Sequence, residues 1–255
     1  MKKTMRNFLA IVAMSTFTGL VFNSCSSGGG ATDAGGDGVL GEVTKVAAEY
    51  GAQGMELIDG LLAAEKAEQV KDFPAKMKRL DSLSNAALDK ALLQLKDKEL
   101  PTEVAAGVPL KVVTPFKLKA DESKEDKLKL VAQVESTEDT WNSDNRDGYR
   151  FSHLRVMFVD ADGNGVCTVK KERYTTDADS KVSHQAGTKG EVTVNVDVTV
   201  WNAPLLDKAQ KIVITSVEDD IYKEVRDSTR TIERAFDKKM IEMVTKIAKF
   251  AREEK

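Results

Sequence analysis

Val192, Val194, Val196, Val198 and Val200 alternate with Thr193, Asn195, Asp197 and Thr199, so an extended chain puts five valines on one face and the polar residues on the other. A helix, with its 3.6-residue period, cannot gather that pattern into one stripe. The two-residue period recurs elsewhere. Val112, Phe116 and Leu118 alternate with Lys111, Lys117 and Lys119, and Leu128, Leu130 and Val134 with Lys129, Gln133 and Glu135. Leu154, Val156 and Phe158 form another set. Pro115 marks the first of these as an edge strand, because proline has no N–H to donate to a ladder. Roughly six or seven half-buried strands over residues 108–216 predict an antiparallel sandwich of immunoglobulin-like size.

On either side the period returns to 3.6. Val43, Val46, Ala47, Tyr50, Leu57, Ile58, Leu61 and Leu62 share one helical face, with a break expected at Gly51 and Gly54. Asp72-Phe73-Pro74 reads as a turn. Met77, Leu80, Leu83, Ala87, Leu88, Leu92 and Leu95 carry a second helix towards Pro101. After a capping-box-like Ser216-Val217-Glu218-Asp219, a near-3.6 period runs through Ile221, Val225, Ile232, Phe236, Met240, Val244, Ile247 and Ala251. The expected fold is therefore α+β, an antiparallel β-sandwich inserted between an N-terminal helical hairpin (42–100) and a long C-terminal helix (217–255) that packs on the hairpin.

The amino terminus belongs to none of these elements. Lys2, Lys3 and Arg6 precede an apolar run from Phe8 to Phe22, which is shorter than the roughly 20 residues a spanning helix needs. Residues 1–24 read as a removed signal peptide. Phe22-Asn23-Ser24-Cys25 resembles the relaxed lipobox of Bacteroides-type lipoproteins, although Phe22 and Asn23 depart from the strict pattern of Leu and a small residue. The resemblance implies a covalent lipid on Cys25. Ser26 then resembles a sorting residue for the outer membrane, and the first acid after the cysteine, Asp33, favours the periplasmic face over the cell surface. Residues 25–41 hold seven glycines and read as a flexible tether.

Processing removes three cations and no acids, which takes the net charge from −3 to −6. Nothing in that balance suits nucleic acid. Cys167 is left without a cysteine partner and, beside Val166 and Val169, reads as a buried small hydrophobe.

Two stretches resemble ligand sites. Asp160, Asp162 and Asn164 in "DADGNG" have the spacing of the first three EF-hand calcium ligands, with Gly165 following. The twelfth position is Lys171 rather than the required Glu, and the flanks are strand-like, so a hairpin turn explains the letters better than Ca²⁺ does. In "TWNSDNRDGYRF", residues 140–151, Trp141 and Tyr149 could stack on a sugar while Asn142 and Asn145 hydrogen-bond its hydroxyls. The simpler role is a polar loop anchored by its aromatics. No nucleophile elbow, zinc-binding His pair or phosphate loop occurs. The expectation is a non-catalytic lipoprotein with no cofactor, held on the membrane by its lipid and bound to another envelope protein. The strand region looks loosely like the immunoglobulin-like modules of bacterial lipoproteins, a resemblance that implies no ligand. Glycan or small-ligand binding through residues 140–151 is the alternative, and a calcium-stabilised domain the third reading.

Overall fold

The last residues assigned to the tether are already inside the protein. Val39 and Leu40 are buried, the Val39 N–H donates to Ala209 O (2.6 Å), and Gly38 lies so close to the backbone of Asp207 and Ala209 that a Cβ there would collide with it. A tether running to residue 41 is thus too long, because Val39 and Leu40 supply apolar surface that a core can bury. The structure is a computed structural model that describes residues 38–120, 128–139, 154–169, 172–176 and 185–253. The proposed signal peptide and Cys25 lie outside these residues.

Helix α1 (Glu42–Ala63) runs unbroken through Gly51 and Gly54, contrary to the expected break. Both glycines are buried, and tertiary packing of this face outweighs their roughly 1 kcal/mol deficits in propensity. A 3₁₀ turn (Ala67–Val70) leads to α2 (Phe73–Leu95). Asp72-Phe73-Pro74 opens this helix instead of forming a separate turn. Pro74 lies in the first turn, where its missing N–H is no loss. The hairpin ends at Leu95, short of the expected residue 100, and Asp97 turns the chain at φ 62°.

Nine strands follow in two sheets among the described residues. They are β1 (Glu99–Leu100), β2 (Thr102–Val104), β3 (Leu110–Ala120), β4 (Leu128–Ser136), β5 (Leu154–Val159), β6 (Gly165–Thr168), β7 (Glu172–Thr176), β8 (Lys189–Val196) and β9 (Lys211–Ser216). One sheet has the order β1-β3-β4-β8-β7 and is antiparallel throughout. The other has the order β2-β9-β5-β6, and its β2–β9 pair is parallel, so the strands are not all antiparallel as expected. Pro101 carries the chain from one sheet to the other. Just after it, the Thr102 hydroxyl donates to Leu100 O (2.8 Å) and accepts from Phe116 N–H (2.9 Å).

β3 is not an edge strand, because β1 flanks it. Yet β1 reaches only Phe116 and Lys117, and the β3–β4 ladder is irregular from Val112 to Lys117, which is where Pro115 is tolerated. The valine alternation also outruns its strand. β8 ends at Val196, and Val200 joins a different buried cluster from Val192, Val194 and Val196. A one-turn helix α3 (Ala203–Leu206) then interrupts the strands.

The final helix α4 (Asp220–Glu253) is continuous over 34 residues, about 51 Å. Asp219 caps it, accepting from Tyr222 N–H (3.0 Å), three residues later than the capping box expected at Ser216. Its buried stripe is Tyr222, Val225, Thr229, Phe236, Met243, Ile247 and Phe250. Ile221 and Val244, expected inside, are exposed.

The fold is mixed α+β, with helices before and after two largely antiparallel sheets. Its largest buried cluster draws on both sheets, including Leu130, Val134, Val192 and Val194 from one and Val156, Phe158, Ile212 and Ile214 from the other. A second cluster lies among the helices, where Met55, Ile58, Leu61, Phe73 and Met77 meet Phe236, Met243, Ile247 and Phe250. α4 also covers the outer face of β5 and β9, where Tyr222 packs with Met157, Val159 and Val213. Among the described residues, no helix is long and apolar enough to cross a membrane.

Candidate functional site

α4 passes from the sheets to the helical hairpin, and between Val225 and Ile232 its inner face carries the buried Thr229 in place of an apolar side chain. Arg226, Arg230 and Glu233 follow Tyr222 at helical spacing and share one flank of the helix with Thr229. They border a cleft of about 490 Å³. β5 contributes Arg155 from its outer face, and β6 with its following residue contributes Cys167, Thr168 and Val169. The end of β8 and the turn after it supply Asn195, Asp197, Thr199, Trp201 and Asn202. The cleft thus lies at the seam between two buried clusters, a location that small-ligand sites favour.

Asn202 builds the turn on that side. Its side-chain oxygen accepts from Thr199 N–H (2.7 Å), its amide donates to Asp197 O (2.7 Å), and its own carbonyl accepts from Leu205 and Leu206 as α3 begins. These bonds hold Asp197, Thr199 and Trp201 at the rim. The Thr199 hydroxyl is enclosed and has no hydrogen-bond partner among the described residues.

Cys167 is a free thiol, 1% exposed. Burial pushes its pKa up to about 12, against the opposing effect of its hydrogen bonds with Thr229 and Thr168. It is therefore a protonated, inert part of the floor. Thr229 is itself satisfied, its hydroxyl donating to Val225 O (2.7 Å). Arg226 Nε pairs with Asp227 (2.9 Å), which raises the guanidinium pKa and lowers that of the carboxyl, and the charge of Arg230 lowers Asp227 further. Planar guanidinium forks such as those of Arg226 and Arg230 suit carboxylate and phosphate oxygens.

Comparison with known protein families, curated proteins and solved structures gives no significant match. The cleft is judged on its own chemistry.

The sequence reading placed its candidates elsewhere. Trp141, Asn142, Asn145 and Tyr149 lie outside the described residues, as does Cys25. Asp160, Asp162 and Asn164 form the β5–β6 hairpin turn. There the Asp160 carboxylate accepts from Asp162 N–H (3.0 Å), Asn164 N–H (2.8 Å) and the Asn164 amide (3.3 Å), while Gly163 adopts φ 88°. Hydrogen bonds from the Asn164 backbone, chiefly, hold the Asp160 carboxyl below its ordinary pKa. The side chain thus closes its own turn. Among the described residues, no group of three or more His, Cys, Asp and Glu side chains gathers as metal ligands would.

Sequence reasoning missed Arg155, Arg226, Arg230 and Glu233. One local signal existed. The apolar period of α4 lapses at Ser228 and Thr229, a full turn where a helix packed on a sheet would ordinarily carry a large apolar side chain.

Proposed function

We propose that this chain is a lipid-anchored protein of the bacterial cell envelope whose body binds its target without transforming it. The observation that carries the binding part is the cleft between α4, β5–β6 and the 197–202 turn, where guanidinium, amide, hydroxyl and aromatic groups converge beside an inert thiol. The anchor rests on the lipobox-like Phe22-Asn23-Ser24-Cys25, with Ser26 and the acid-poor start of the tether favouring the periplasmic face of the outer membrane.

The finer architecture belongs to the same reading. We take the two sheets as the halves of a β-sandwich inserted between the helical hairpin and α4. In support, inward residues of both sheets share one cluster, and hairpin and α4 residues share another.

In-cell crosslinking of the lipidated chain tests the function, comparing the native protein with the charge-reversed Arg226→Glu/Arg230→Glu form. The expected result is a reproducible adduct with an envelope component or a small ligand that the charge reversal removes. Adducts indifferent to the reversal would move the binding site away from the cleft. No specific adduct, with a neighbouring lipoprotein crosslinking normally, would overturn the reading.

A further inference from the structure

The face of α2 that turns away from the helical cluster is not uniformly polar. Leu83 (48% exposed) and Leu93 (71% exposed) stand on it, and Leu93 is the most exposed large apolar side chain among the described residues. With Arg79, Ala86 and Lys90 they follow a spacing of four and three residues, which keeps all five in one seam along the helix. All five are exposed. Asp97 extends the seam in the turn just past the helix end. Leu83 and Leu93 lie about 15 Å apart along the axis, too far to cover each other.

Turned end for end, the seam matches itself. In an antiparallel pair related by a two-fold axis, setting Leu83 of one copy on Leu93 of the other also sets Ala86 against Lys90 and Arg79 against Asp97, and the symmetry repeats each contact. Leucine meets leucine in two layers, a small residue receives the stem of a long one, and opposite charges close both ends. Near the axis the two Asp89 carboxylates approach each other, and a Lys90 ammonium from each copy lies beside them, so the centre carries equal charge of both signs. At the flank Ser82 faces Lys96. A parallel pair would instead stack Lys90 on Lys90 and Arg79 on Arg79. Among the described residues Arg79, Asp89, Lys90 and Asp97 enter no ion pair, so no bond within the chain has to break.

We propose that α2 is the contact of a two-fold homodimer, in which the 79–97 seam packs antiparallel on its own copy. One helix face per copy offers less than the roughly 1,200–2,000 Å² that stable interfaces bury, so the pair is weak in free solution. The proposed lipid anchor would confine copies to one plane and raise their effective concentration, which offsets that weakness. The inference is independent of the cleft, whose residues lie on other elements.

Disulfide trapping of the full lipidated chain in liposomes tests the pairing, with the buried Cys167 taking no part. On mild oxidation Leu83→Cys/Leu93→Cys should give a covalent dimer, because the two positions meet only between copies. Leu93→Cys alone should stay monomeric on a denaturing gel. Equal trapping by Leu93→Cys alone would mean a parallel pair or random collision, and would overturn the assignment. Sedimentation velocity, with detergent micelles in excess over protein, needs no introduced cysteine. The native chain should shift from monomer towards dimer as its concentration rises. Leu93→Glu should abolish that shift and leave the melting temperature unchanged, because Leu93 is exposed. A shift undiminished by Leu93→Glu would place the contact elsewhere and overturn the role given to α2. A chain that is monomeric in both assays would overturn the dimer and leave the seam to a different protein.

Discussion

Gly165 stands where β6 meets α4, and a Cβ built on it would overlap Val225 Cγ2. Its backbone lies in a region open to any L-residue, so the need for glycine there comes from packing and not from conformation. Gly165→Ala should therefore destabilise by overpacking, by about 1–3 kcal/mol in urea titrations, because β-branched Val225 has little rotamer freedom with which to retreat. In the Gly165→Ala/Val225→Ala form the two costs should sum to well over the measured loss, and strict additivity would exclude the contact as the cause. One turn away, Asp160 makes a prediction about pH. Its folded pKa lies below the unfolded value, so its contribution is present above about pH 4 and is lost as pH falls through the folded pKa. Asp160→Asn should flatten the acid limb of the melting temperature below about pH 4, and superimposable pH profiles would show that the turn bonds carry no linkage. Cys167 should resist iodoacetamide at pH 8 in the native protein and react once unfolded, as peptide mass spectrometry would show. Rapid native labelling would contradict the burial that holds its thiol protonated.

Among the elements, α4 carries the most weight. Thr229, Phe236, Met243 and Phe250 recur every seven residues, which keeps them on one side of a long helix. Phe236, beyond the cleft, lies in the helical cluster at 5% exposure. Phe236→Ala should cost about 3–5 kcal/mol in chemical denaturation, and a loss under 1 kcal/mol would show that the hairpin contact is loose. The helix itself was legible from its period, but its rotation was not. Ile221, Val225, Met240 and Val244 fit a four-residue spacing that drifts around the cylinder, and only the facing strands and hairpin select the stripe that is buried. The strands show the same limit. Alternation located β3, β4, β5 and β8, whereas β1 and β2 were too short to show any period, and the parallel β2–β9 pairing depends on partners more than 100 residues apart. The cleft escaped for this reason as well. Arg155 looked like the polar face of a strand and Arg226 and Arg230 like solvent-facing helix residues, and each description is locally correct. They meet only because α4 crosses β5, and no local pattern records the crossing.

For the whole molecule, the first question is attachment. Cys25→Ser should release the protein from the membrane fraction or leave it as an unprocessed precursor, with no lipid-labelled peptide. Unchanged fractionation and labelling would overturn the anchor. Where the described chain begins is also fixed by packing. The chain enters at Gly38, pressed against the Asp207–Ala209 backbone, and Thr44 then donates to Asp207 (2.9 Å). A pull on the proposed tether would thus be delivered to the turn after α3, beside one rim of the cleft. The stretch through α4 bears differently on how the protein is made. The cluster among the helices and the small one around Tyr222 remain open until α4, synthesised after every strand, has arrived, whereas the cluster between the sheets contains no residue of that helix. A ribosome that has emitted the strands has supplied every residue of the cluster between the sheets but only part of the helical one. The bundle of hairpin and α4 is thus the part of the molecule that sets last.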